Sequence, residues 1–180
     1  MPILLARSFL PCPTGSLDFG EIDLVTASAL GVPAGPIRLQ VGYPGPKGFG
    51  SRHVEENANR MKQLAQIGFA NFTSFAHAVA QKYQAVLAGD PVSRFQLVYR
   101  DMFDGRRFDL RLIIQPETDG SVQFYGITTG IFSPVARGKV LCSVNRTGGC
   151  VPTPSAAERR SRFETLSLPN SKPVSSDNGS

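Results

Sequence analysis

The sequence predicts an α+β fold in which helices pack on one face of a small antiparallel sheet. Three observations point there. Two stretches carry apolar residues at three- and four-residue steps, as amphipathic helices do. Three β-like runs then follow one another, joined by links that each contain Asp-Gly, a strong hairpin signal. The chain has 180 residues, 41% of them hydrophobic, which is enough to bury a core within one domain.

In chain order, residues 1–35 read as an irregular lead-in rich in Pro, Gly, Ser and Ala, with a short helix or turn around Asp23–Leu30. "PIRLQVG" alternates and contains Ile, Leu and Val, which suits a first strand. "YPGPKGFG" is a loop, because Gly and Pro dominate it. The first main helix is expected to start at Ser51, whose hydroxyl can cap it with Glu55 and Glu56 in the first turns. Val54, Ala58, Met61, Leu64 and Ala65 supply its buried face, and Gly68 ends it. A second helix begins at Asn71 or Thr73, buries Phe75, Ala76, Val79, Ala80, Tyr83 and Val86, and stops at Gly89. "SRFQLVYR", "RFDLRLIIQP" and "SVQFYGITTGIF" then form an antiparallel meander. The domain is expected to span residues 36–150. Residues 151–180 lose apolar periodicity and read as a disordered tail.

Composition narrows the function classes. The formal charge of +5 allows an acidic partner such as RNA without requiring one. Cys12, Cys142 and Cys150 are too few for a disulfide framework, although Cys142 and Cys150 could pair if the chain is exported. With two distant histidines they make no zinc spacing, so neither metal nor other cofactor is expected. The apolar start is interrupted by Arg7 and two prolines, so neither a signal peptide nor a membrane span is read there. A cytoplasmic setting is expected, that of the producing cell or of a target cell reached by a secretion system or phage.

His53 is the first candidate for chemistry. In the first turn of a helix the local dipole favours neutral imidazole, which can accept a proton. Gly48 and Gly50 allow a substrate or backbone to come close, and Arg52 and Lys47 add positive charge nearby. His77, set among apolar helix positions, reads as a packed histidine instead. In "QFYGITTGIF" alternation places Gln123, Tyr125, Ile127 and Thr129 on one face and Phe124, Gly126 and Thr128 on the other. Arg111, in mid-strand between two leucines, either reaches solvent or meets an anion. Each of these residues also has an ordinary structural reading. Together they are the residue types that metal-independent RNA cleavage uses: a base for the 2′-hydroxyl, donors for the phosphate oxygens and an acid for the leaving oxygen.

The segments "GPKGFGSRHVEENANR", "FTSFAHAVAQKYQAV" and "RFQLVYRD…GRRFDLRLIIQPE…VQFYGITTGIF" resemble the BECR superfamily of toxin nucleases (barnase, EndoU, colicin E5/D and RelE-like), particularly its phage-associated branch. The resemblance covers roughly residues 36–135 and includes a Gly-x-Gly-x-x-His-Val segment at a helix start. It implies a barnase/EndoU/RelE-like fold and an endoribonuclease toxin or effector acting on RNA, often tRNA, with a cognate immunity protein or antitoxin. It also implies that His53 is the catalytic histidine and Thr129 or Thr128 the hydroxyl of the final strand. Arg111 and Tyr125 become phosphate or transition-state contacts, and Arg52, Thr128, Gly50 and Lys47 the substrate-binding set. Relatives often carry a second histidine a few residues on, where this chain has Glu-Glu-Asn. That leaves the general acid open, with Tyr125 a candidate. The competing expectation is a non-catalytic RNA- or protein-binding domain of phage or prophage origin on the same fold.

Overall fold

The computed structural model describes residues 7–91, 93–144 and, by backbone alone, 150–152. The described strands are β1 (Phe9–Leu10), β2 (Asp18–Ile22), β3 (Gly35–Gln40), β4 (Ala85–Ala88), β5 (Phe95–Phe103), β6 (Arg106–Asp119), β7 (Val122–Ser133), β8 (Val140–Val144) and β9 (Cys150–Pro152). The described helices are α1 (Leu24–Leu30), α2 (Gly50–Glu55), α3 (Ala58–Gln66) and α4 (Phe72–Lys82).

The expectation of a small antiparallel sheet with helices on one face, in the barnase/EndoU/RelE-like manner, is corrected here. The described strands form one large mixed sheet in the order β1-β3-β7-β6-β5-β4-β8-β9, with β2 also pairing β3. β3 and β7 run parallel, placing Ile37 opposite Tyr125, whereas the other pairs are antiparallel. The expected meander is present as β5–β6–β7. Its first turn places Asp104 and Gly105 at positive φ (47° and 69°), the backbone a two-residue type I′ turn demands.

The sheet is larger because short strands formed where the sequence reads as loop or helix. Residues 9–35 are not an irregular lead-in: β1 and β2 share the outer edge of β3, and α1 lies against β8 and β9. Phe19 and Ile22 from this segment are almost fully buried in the main core. Asp23 caps α1 through the amide of Thr26 (2.7 Å), as expected for a helix at that point.

Two helix boundaries also change. The expected helix from Ser51 to Gly68 breaks at Glu56 and Asn57. Asn57 leaves the helical conformation and uses its side chain to accept from the Arg60 amide (3.2 Å), starting α3. Ser51 lies inside α2 rather than capping it, and Phe49 occupies the cap position without a side-chain bond. The second helix ends at Lys82, and Ala85–Ala88, read as its last turn, is β4. That tetrapeptide is flanked by β5 and β8 and is largely buried on both faces, so it shows no alternation. A short apolar run of this kind has the same pattern in a strand and a helix.

The main core lies between α4 and the sheet. Phe72, Phe75, Ala76 and Val79 pack there with Leu97, Leu112, Ile114 and Ile127. Phe75 meets Phe69 edge-on, and Phe72 stacks beside it. His77 sits edge-on to Phe19 at the core boundary. Cys142 is disulfide-bonded and Cys12 is free; the side chain of Cys150, the partner offered only for an exported chain, lies outside the described residues. The expected disordered tail lies outside them as well from residue 153 onward. No helix among the described residues is long and apolar enough to cross a membrane.

Candidate functional site

His53 is set by a small closed loop. Tyr43 and Phe49 exchange backbone hydrogen bonds (3.1 and 3.2 Å), and the tip turns from Gly45 to Gly48 through a 2.9 Å bond. His53 Nδ1 lies 3.0 Å from the Gly45 carbonyl oxygen. A carbonyl only accepts, so Nδ1 carries the hydrogen in this contact. The glycines serve this closure. A Cβ on Gly48 would meet Tyr43 O at 2.2 Å and His53 Nδ1 at 2.9 Å. One on Gly50, at φ 74°, would meet Gln40 O at 2.5 Å. The space beside Gly50 is thus filled by the chain's own backbone rather than left for a ligand. α2 is six residues long with His53 in its last turn, so the expected first-turn dipole does not act on it. The Arg52 amide is already engaged by Val41 O (2.9 Å).

An open cleft of about 740 Å³ faces this loop, lined by His53, Glu56, Asn57, Asn59 and Arg60 together with Pro44–Pro46. Arg60 reaches from the first turn of α3 to the final meander strand, where its Nη1 donates to Thr129 Oγ1. This contact connects the histidine cleft to the threonine-bearing strand. Thr129 is aimed by a β-bulge: Ile113 pairs with Thr129 but Ile114 pairs with Ile127, leaving Thr128 as the extra residue. Strict alternation along β7 therefore fails at this point. Tyr125 and Ile127 belong to the core face, whereas Thr129 shares the opposite face with Ile113. Thr128 is buried, with no partner for its hydroxyl among the described residues.

The glycines flanking the threonines each have a packing reason. A Cβ on Gly130 would meet Phe72 at 2.6 Å and Phe75 at 2.7 Å, so the absent side chain seats the α4 phenyl rings. Gly126 leaves room for the Glu117 carboxylate, which accepts from Gln40 (3.1 Å) and Gln115 (3.0 Å).

The structure brings His53 and Thr129 together through Arg60, and places Arg111 on the same sheet face as Thr129, one diagonal step away across β6 and β7. It does not bring Tyr125 to the cleft. That side chain is buried, its hydroxyl donates to Pro33 O (2.6 Å), and burial pushes its phenol above the ordinary value. Lys47 is exposed at the loop tip. Arg52 pairs with Glu56 on the next helical turn (2.9 Å), at the rim of the cleft. Glu56 and Arg60 were not singled out in the sequence. Their signal was positional: in "HVEENANR" a helix restart at Asn57 carries Glu56 and Arg60 onto the side occupied by His53. Among the described residues no cluster of three or more His, Cys, Asp or Glu is arranged to hold a metal ion.

Compared with protein-family models, curated proteins and solved structures, the chain gave no match.

Proposed function

We propose that the chain is an endoribonuclease of the BECR type, cleaving RNA by attack of a ribose 2′-hydroxyl on the adjacent phosphorus. The observation that carries this reading is the Arg60–Thr129 contact, because it joins the His53 cleft to the hydroxyl-bearing strand. His53 and Glu56 both line that cleft and supply two proton-transferring groups there, with Glu56 in place of Tyr125, the sequence's candidate for the acid. One takes the 2′-hydroxyl proton and the other returns a proton to the departing 5′-oxygen. The guanidinium of Arg60 and the hydroxyl of Thr129 hold the phosphate oxygens as negative charge builds on them. The P–O5′ bond breaks as the O2′–P bond forms, giving a 2′,3′-cyclic phosphate and a 5′-hydroxyl. A nuclease acting on its producer's own RNA has to be restrained, so a cognate inhibitor belongs to the same proposal.

The test is incubation of purified protein with total tRNA and with a single-stranded RNA in EDTA, beside His53→Ala and Arg60→Ala. Cleavage by the parent, ending in cyclic phosphate, is expected to fall by about 10²-fold or more in each variant. A DNA strand of the same sequence lacks the nucleophile and is expected to stay intact. Cleavage undiminished in His53→Ala overturns the assignment of His53. No cleavage by any of the proteins favours a binding domain instead.

A further inference from the structure

Arg111 is a cation in mid-sheet that pairs with no carboxylate among the described residues. Its Nη1 donates to the neutral side chain of Gln96 (3.0 Å), while its Nε is buried and has no acceptor among the described residues. The nearby acid, Asp109, is already engaged. Its Oδ2 accepts from the Ala136 amide (2.7 Å), and its Oδ1, which accepts no hydrogen bond among the described residues, lies 3.5 Å from Arg100. The Arg100 Nε likewise lacks a hydrogen-bond acceptor. Arg137, exposed on the following loop, stands close enough for its charge to act on Arg111. The Arg111 guanidinium is lowered from its ordinary value, chiefly by burial, with Arg137 adding to the shift and Asp109 opposing it. Arg111 and Arg100 thus share one carboxylate, and among the described residues the Nε of neither finds a hydrogen-bond acceptor. A half-buried cation left in that condition is costly unless an anion completes it.

The position of this cluster matters. Residues directly opposite in an antiparallel ladder share a face, so Arg111 with Ile131 and Thr129 with Ile113 lie on the same side of the sheet. Diagonal neighbours in such a ladder are about 7–8 Å apart. The loop carrying Arg137 is pinned over the strand by Gln96, which donates to Arg137 O (3.2 Å).

We propose that Arg111 and Arg137 form a second phosphate subsite, holding the phosphodiester of a nucleotide that flanks the scissile one in the same RNA strand. The proposal rests on the ribonuclease reading for the identity of its ligand. Arg111 supplies fixed, partly dehydrated donors at the sheet surface, and Arg137 closes over them from the exposed loop. The subsite acts on polymeric substrate and does not touch the reacting atoms.

The experiment has two arms. In the first, a fluorescein-labelled single-stranded RNA decamer is titrated by anisotropy against His53→Ala protein at several NaCl concentrations. Adding Arg137→Ala, and separately Arg111→Ala, is expected to weaken binding several-fold and to lower the slope of log K against log salt by about one. In the second, cleavage of a decamer is compared with cleavage of a dinucleoside monophosphate, which has a single phosphodiester. Arg137→Ala is expected to lower kcat/KM about tenfold for the decamer and to leave the dinucleotide unchanged. Equal losses on both substrates, or an unchanged decamer affinity and salt slope, overturn the subsite. Arg137 is exposed, so its variant stays informative if Arg111→Ala fails to fold. Arginine-dependent binding of the decamer without cleavage of either substrate sinks the nuclease reading and leaves the subsite standing.

Discussion

Gly130 bears the phenyl rings of Phe72 and Phe75 where a side chain would otherwise stand. Gly130→Ala is expected to destabilise the protein by about 1–3 kcal/mol through overpacking, read as a lower denaturation midpoint with an unchanged m-value. The sequence made the glycines around the paired threonines conspicuous but could not say what approached them, since Phe72 and Phe75 are far away in the chain. His53 could be picked out because the surrounding glycines imply close backbone contacts. Its contact with Gly45 O could not be read, because it depends on how the Tyr43–Phe49 loop closes. Arg60 was hidden for a similar reason. Spacing places it on an ordinary helical turn, and only the fold sets that turn against Thr129.

Among the elements, α1 and α4 and the β5–β6–β7 meander follow from local signals: capping by Asp23 and Asn71, apolar stripes, and Asp-Gly turns. The break between α2 and α3 was less legible because the apolar spacing continues across Asn57 while its side chain caps a new helix. In β7 the bulge at Thr128 defeated simple alternation and moved Tyr125 and Thr129 to opposite faces. Tyr125 instead ties β7 to the turn before β3 through Pro33 O. Burial raises the phenols of Tyr125 and Tyr83 above their ordinary value of 10.0, so the folded chain holds these protons more tightly than the unfolded chain. The resulting stability is fully present below about pH 10 and is lost as pH rises through the folded-state values. Alkaline unfolding followed by circular dichroism is expected to depend less steeply on pH in Tyr125→Phe than in the parent. An identical pH dependence would remove Tyr125 from this account.

For the whole molecule, the sheet's full extent depends on pairings that no local pattern announces. β1 is two residues long, β4 lacks alternation, and β3 joins β7 in parallel across the intervening helices and strands. These features made residues 9–35 look dispensable. Yet Phe19 and Ile22 are buried, and Ile37 and Leu39 of β3 are completely so. Each large apolar side chain contributes about 1.5–3 kcal/mol by burial, against a net stability of about 5–15 kcal/mol for a typical domain. A chain restricted to residues 36–150 is therefore expected to lack a cooperative thermal transition, whereas residues 1–152 should retain one in differential scanning calorimetry. The placement of α1 against β8 and β9 has a further consequence for how the protein is made. A ribosome emits the helix early and its two partner strands near the end of the described chain. The helix thus has nothing to close against on that side until translation has passed residue 152, and it must wait, partly uncovered, while the intervening strands are made.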